Sequence, residues 1–145
     1  MKVEFHFNVE HRAQYACRLV RKARAQGCTV LAVCADPGRL ARFDSALWTF
    51  SALDFLPHVA ADSPLATRTP ILLAADGAAA PARDLLLMLD DAVPDGFETW
   101  AARYPRIVEV VSRDEDDRRT ARERFRAYKA RGCDPQSIDV GQSAP

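Results

Sequence analysis

Gly27-Cys28-Thr29-Val30-Leu31-Ala32-Val33-Cys34-Ala35-Asp36-Pro37 is the stretch that decides the fold. Its centre, residues 29–34, is an unbroken β-branched and apolar run. A strand with one wet face alternates, so an unbroken run predicts a strand covered on both faces, as in a parallel sheet. Gly27 supplies the stop of a preceding helix, because glycine takes the left-handed conformation beyond a helix end without steric cost. Asp36-Pro37 reads as an N-cap followed by proline at the first helical position, opening a helix that runs through Trp48. A buried strand between two helices is the repeating unit of an α/β domain.

The neighbouring segments continue the alternation. Upstream, Val3 to Phe7 alternates with polar residues and predicts a first strand, with His6 facing out or lining its edge. Residues 14–24 predict a helix, with Tyr15, Leu19 and Ala23 on one face and Arg18, Arg21, Lys22 and Arg24 on the other. Downstream, residues 55–66 are irregular, with prolines at 57 and 64 and His58 in a loop. Strands are predicted at residues 71–75, 85–89 and 106–111, and a short helix at 94–102. A final helix runs from Asp114 to about Arg131 and stops at Gly132. The expectation is one three-layer α/β/α domain over residues 1–132, with a mostly parallel sheet and right-handed crossovers. Residues 133–145 are expected to form a loosely ordered tail.

Composition narrows the classes further. With 145 residues, 48% hydrophobic and 28% charged, the chain has the profile of a globular protein rather than a fibrous, disordered or membrane-spanning one. The first residues, Met1 to Phe7, place Glu4 and His6 inside the only early apolar run, so no targeting segment is expected. The four cysteines, at 17, 28, 34 and 133, form no C-x-x-C pair, and reduced thiols in a cytoplasmic protein are expected. Twenty Lys+Arg balance twenty Asp+Glu, which argues against a general nucleic-acid coat. The balance is uneven along the chain, however. Residues 76–117 carry four basic and eleven acidic side chains, and residues 118–131 seven and one.

A Rossmann-like sheet invites a nucleotide at the carboxyl ends of its strands. The first strand here runs into Asn8-Val9-Glu10-His11, without a glycine to admit a pyrophosphate, and no G-x-x-x-x-G-K-[ST] loop exists. Asp36 stands where a ribose-binding acid would, and most simply caps its helix. His6, His11 and His58 lie in no nucleophile or metal motif, and Asp90-Asp91 and Asp116-Asp117 are accounted for by strand ends and helix N-termini. No catalytic residue, metal ligand or cofactor is expected.

The final helix carries the one chemical signal. Arg118, Arg122 and Arg126 fall at i, i+4 and i+8, stacking three guanidinium groups along one side. Phe125 adjoins them, and Ala121, Phe125 and Tyr128 form a narrow apolar face for docking on the sheet. Such a row suits an acidic peptide, above all one ending in a carboxylate that arginine holds bidentately. The same row fits a solvated helix face, or weak and salt-sensitive binding to nucleic-acid phosphates.

Three blocks, in order, carry a family resemblance. They are Arg42-Phe43-Asp44-Ser45-Ala46-Leu47-Trp48, Phe55-Leu56-Pro57-His58 and Ala121-Arg122-Glu123-Arg124-Phe125-Arg126-Ala127-Tyr128-Lys129. Over nearly its whole length the chain resembles the chi subunits of bacterial DNA polymerase III. That resemblance implies a non-catalytic accessory subunit of the clamp-loader complex. It implies binding to the acidic C-terminal tail of single-stranded DNA-binding protein, which ends in aspartates, Pro-Phe and a free carboxylate. It further implies attachment to the clamp loader through a small psi subunit, contact with DNA only indirectly, and no contact with membrane. By motif, the tail-binding residues are Arg118, Arg122 and Arg126, with Phe125 and Val111 lining the pocket for the terminal ring. Arg126 stands where the family often has lysine, and Phe125 where it often has tyrosine. Trp48, Phe55 and Leu56 match the psi-facing surface, though a tryptophan ending an amphipathic helix fits a core position equally well. Residues 65–81 and the tail after Gly132 depart most from the family pattern. The competing functions are a nucleotide-binding α/β enzyme and a direct single-stranded DNA binder.

Overall fold

The computed structural model describes residues 2–50 and 55–141. Expectations for residues 1, 51–54 and 142–145 lie outside the described residues. In chain order the elements are β1 (Lys2–Val9), α1 (Arg12–Ala25), β2 (Val30–Val33), α2 (Pro37–Thr49), β3 (His58–Ala60), a 3-10 turn (Ala66–Arg68), β4 (Ile71–Ala74), β5 (Leu85–Met88), α3 (Phe97–Ala101), β6 (Arg106–Ser112), α4 (Glu115–Ala130) and β7 (Gln136–Asp139). They build one seven-stranded sheet, ordered β3-β4-β2-β5-β6-β1-β7. Every pairing between neighbours is parallel.

The unbroken run that defines β2 divides between two cores. Val30, Ala32 and Cys34 face one way and pack with Leu19, Val20, Phe43 and Leu47 of α1 and α2. Leu31 and Val33 face the other way and pack with Phe97 and Trp100 of α3 and with Ala121 and Tyr128 of α4. β5 splits likewise, Leu85 and Leu87 to the first core and Leu86 and Met88 to the second. This makes a three-layer α/β/α sandwich, as the two-sided run requires. The caps agree with the sequence. Asp36 Oδ1 accepts from the Gly38 and Arg39 N–H groups at 2.9 and 3.4 Å, with Pro37 inside the first turn. Asp114 caps α4, and Gly132 follows it with φ of +83°.

Three local expectations change. Residues 58–60, read as loop, form β3, a three-residue edge strand whose partner β4 lies eleven residues downstream of its last residue. The segment after Gly132, read as a loose tail, forms β7 and pairs with β1 from Glu4↔Gln136 to Phe7↔Asp139. His6 does not face out. It is buried, with Nε2 2.9 Å from Glu4 Oε1 and Nδ1 against the Tyr15 hydroxyl of α1.

Glu4 is the centre of that polar cluster. Its carboxylate accepts from Arg106 Nε and Nη2 at 3.3 and 2.9 Å, and Lys2 Nζ stands 3.3 Å away. Burial alone raises such a carboxyl. The bonds from Arg106 and His6 and the Arg106 charge outweigh it, bringing the pKa from 4.5 down to about 2. A depressed folded-state pKa adds stability above the unfolded value, and that share is lost as pH falls through the folded one. The stability difference between the native chain and Glu4→Gln is therefore expected to shrink as pH falls from about 4.5 to about 2. Urea denaturation of both chains across that range measures it. A difference independent of pH would show that Glu4 is not the titrating group.

Candidate functional site

α4 lies against the β1–β6 side of the sheet, and its inward face is set by spacing. Ala121, Arg124 and Tyr128 are buried, while Arg118, Arg122 and Arg126 are exposed. Phe125 lies between the two sets, half-buried, with its ring centroid 5.3 Å from that of Phe5 on β1. The structure brings all five residues singled out on and beside this helix to one groove of about 580 Å3. Arg118, Arg122, Phe125 and Arg126 form its helical wall, and Val111 of β6 lies at its base. Phe5, Phe7, Asn8 and Ser137 complete it from the strands, together with Ala121 and Arg113. The row from Arg118 to Arg126 is about 12 Å long at 1.5 Å per residue, roughly the reach of four extended residues.

Charge pairing separates these arginines from the others on the helix. Arg124 is held by Glu109, Arg119 by Asp116 and Arg131 by Glu98. The side chains of Arg118, Arg122 and Arg126 have no hydrogen-bond or ion-pair partner among the described residues. Lys129 is used locally, its ammonium 5.2 Å from the Phe125 ring centroid. The groove thus offers three unpaired guanidinium groups above an aromatic floor, and Phe7, 37% exposed, extends the apolar surface at its mouth. Three open guanidiniums on a rigid helix can clasp carboxylates, and the rings can take an apolar side chain.

Of the strand side of this groove, sequence reasoning named Val111 and missed Phe5, Phe7, Asn8 and Ser137. A partial signal existed, because the alternation of β1 places Phe5 and Phe7 on one face. What brings that face to α4 is the β1–β6 pairing, a contact 104 positions apart in the Lys2↔Arg106 register.

The second expected surface divides. Trp48 is 52% and Phe55 74% exposed, with ring centroids 5.8 Å apart. Trp48 also stacks on His58 at 4.1 Å, and His58 Nε2 bonds Asp44 Oδ1 at 2.7 Å. Leu56 departs from the expectation. It is 5% exposed and belongs to the α1–α2 core. The exposed pair flanks β3 at one edge of the sheet, and the groove lies by β1 and β7 at the other. Five strand spacings, about 24 Å, separate β3 from β1.

The carboxyl ends of the strands, where a nucleotide would sit, form a crevice crossed by ion pairs. Asp91 receives Arg39 Nη1 and Nη2 at 2.8 and 2.9 Å and Arg12 Nη1 at 3.5 Å, and Asp117 receives Arg12 at 3.3 Å. Asp114 and Asp116 line the same crevice. These four carboxylates share the crevice with the guanidinium groups of Arg12, Arg39 and Arg42. Asp90 is engaged as well, accepting the Ala35 N–H at 2.7 Å. Among the described residues no group of His, Cys, Asp and Glu has metal-binding geometry. Burial pushes the Cys17 thiol up to about 11, away from reactivity at neutral pH. No described helix is long and apolar enough to cross a membrane.

The fold belongs to the parallel, Rossmann-like three-layer class. A crystal structure of a DEAD box protein from the hyperthermophile Methanococcus jannaschii shares it, with a TM-score of 0.60 at 13% identity over 96% of this chain and 42% of that one, a likeness of fold alone. Sequence comparison is more specific. Residues 1–136 match the family described as DNA polymerase III chi subunit, HolC. DNA polymerase III subunit chi of Pseudomonas aeruginosa is 35% identical over 83% of this chain and 81% of its own length. The subunits of the same name from Escherichia coli and Haemophilus influenzae are 28% and 26% identical over 82% and 88% of this chain, and 79% and 87% of their own. The chain belongs to the chi subunit family of DNA polymerase III.

Proposed function

We propose that this chain is a non-catalytic adaptor that holds the acidic C-terminal tail of single-stranded DNA-binding protein in the α4 groove. Through the Trp48–Phe55 surface it joins a psi subunit and thereby the clamp loader. One observation carries the reading: three arginines without carboxylate partners stand in a row over a floor formed by Phe5, Phe125 and Val111. Acidic side chains and a terminal carboxylate complement the row, and a terminal phenylalanine complements the floor. Trp48 and Phe55 add an exposed apolar patch of the kind that marks an interface. With the two surfaces on opposite edges of the sheet, one partner does not obstruct the other.

Fluorescence anisotropy with a labelled acidic peptide ending in Pro-Phe and a free carboxylate tests the groove. Saturable binding to the native chain is expected, together with co-purification of clamp-loader subunits from cells. A Trp48→Ser, Phe55→Ser chain is expected to lose the clamp-loader subunits while keeping the peptide. In the same buffers ATP or NAD is expected to leave the melting temperature unchanged, whereas a true ligand at 100 times its Kd stabilises by about 2.7 kcal/mol. A peptide that does not bind, or a thermal shift with nucleotide, overturns the reading.

A further inference from the structure

The groove holds one cation that its helix does not supply. Arg113 lies in the turn between β6 and α4 and lines the groove beside Arg118 and Arg122. Its position is fixed twice. The backbone N–H donates to Val9 O at 3.0 Å, and the side-chain Nε donates to Asn8 Oδ1 at 2.9 Å. Acids nearby are engaged elsewhere: Asp114 caps Asp117 N–H, Asp116 pairs with Arg119, and Asp117 pairs with Arg12. No carboxylate pairs with Arg113 among the described residues. Its two terminal nitrogens, the fork that grips a carboxylate, have no partner.

Asn8 is itself held in a costly conformation. At φ of +68° it is the one non-glycine residue with positive φ among those described, and it sits where the β1–β6 register shifts between His6 and Val9. The left-handed region is unfavourable for an L-residue, for asparagine less than for most. Its amide Nδ2 donates to Asp139 Oδ1 at 3.1 Å, and the same oxygen accepts the Gly141 N–H at 3.0 Å. Gly141 is pressed so close that a Cβ there would lie 2.4 Å from Asn8 Nδ2 and 2.9 Å from Asn8 O. Strand β7, Asn8 and Arg113 therefore form one chain of contacts that ends in the groove.

We propose that Arg113 is a further carboxylate-binding residue of the groove, and that Asn8, anchored by Asp139, is the positioning residue that presets its guanidinium. The inference rests on the tail-binding reading above and adds to it a contact to an acidic side chain of the peptide, with β7 as part of the site's framework. A guanidinium already bonded through Nε loses less freedom on binding than a free one, so the contact strengthens without new area.

The test is anisotropy at fixed salt with three peptides: the acidic tail, its C-terminal amide, and its version with asparagine for aspartate. Arg113→Ala is expected to weaken the first two about tenfold and to leave the third no weaker than with the native chain, as for the loss of one charge-assisted hydrogen bond. Asn8→Gly keeps the backbone conformation and removes the amide, and is expected to weaken the acidic tail about threefold, half a decade. Combined with Arg113→Ala, it adds nothing further. A loss confined to the free-carboxylate peptide would move Arg113 to the peptide terminus and overturn the assignment. Additive losses would overturn the positioning role of Asn8. Full binding by Arg113→Ala, while Arg122→Glu abolishes it, overturns this inference alone. A native chain that binds none of the peptides overturns both readings.

Discussion

Arg126→Glu is expected to weaken binding of the acidic Pro-Phe peptide at least about 30-fold while leaving the melting temperature within a few degrees of native. The size follows from chemistry. Removing one partner of a close charge pair costs about 2–5 kcal/mol, and 2 kcal/mol is roughly a 30-fold loss in Kd. Reversal goes further, since it sets a carboxylate against the peptide's own. Stability is spared because Arg126 is exposed and holds no other group in place. A negative charge in the last half of α4 opposes the helix dipole by only about 0.3–1 kcal/mol.

Arg122 shares the row and the exposure, so Arg122→Glu is expected to behave alike. Arg118, at the far end of the row, is expected to act on association more than on residence. Its reversal lowers the on-rate most at low salt, where the Debye length is about 10 Å at 0.1 M against 3 Å at 1 M. Stopped-flow anisotropy separates the two behaviours. An Arg126→Glu chain that keeps native Kd at moderate salt would remove the α4 row from the site.

How much of this was legible depended on whether each feature is local. β2 and β5 could be read because an unbroken apolar run is a property of a few consecutive residues. β3 could not. Its three residues lie between Pro57 and Pro64 and become a strand only through β4. β7 reads Gln-Ser-Ile-Asp, a polar stretch with no face to bury, and what holds it is the ladder to β1. The groove divides in the same way. Helical spacing alone puts Arg118, Arg122 and Arg126 on one side, but Phe5, Phe7 and Asn8 join them through strand pairing that no short window contains, and Arg113, five positions before Arg118, is fixed there by its bonds to Val9 and Asn8. Leu56 shows the converse: next to an exposed phenylalanine in sequence, it points into the core.

The hardest residue to read was Arg124, which looks like one more member of a basic run. It is 1% exposed, with Nε donating to Glu109 Oε1 at 2.9 Å and Nη1 to Asp91 O and Thr120 Oγ1, each at 3.2 Å. Glu109 interrupts the apolar run of β6, and its other oxygen accepts the Tyr128 hydroxyl at 2.7 Å. Burial pushes the Glu109 carboxyl up, against the Arg124 charge and the Tyr128 bond, and it pushes the Tyr128 hydroxyl well above its usual range. The sequence signal was the pairing of two oddities, an acid within an apolar strand and a base at the i+3 position from Ala121 and i−4 from Tyr128.

Arg124→Ala is therefore expected to be the most destabilising change on α4. It leaves Glu109 buried without its cation and opens a cavity beside Tyr128. Breaking a buried ion pair from one side costs about 3–5 kcal/mol, or roughly 6–20 °C in melting temperature at about 2–4 °C per kcal/mol for a chain of this size. Arg124 Nη2 is buried with no hydrogen-bond partner, so the pair itself carries an unrecovered desolvation cost. Replacing both partners with apolar side chains of similar volume, as Arg124→Met with Glu109→Leu, is expected to recover part of the loss even though two charges have gone, the remainder reflecting the Tyr128 hydroxyl left without its acceptor. A double variant as unstable as Arg124→Ala would mean that the pair supplies net stability rather than orientation. Peptide binding gives an independent check, because Arg124 holds the inward face of α4 while Arg122 and Arg126 point outward two positions away on either side. The double variant, once folded, is expected to bind the acidic peptide with near-native affinity, which separates the base that anchors the helix from the bases that use it.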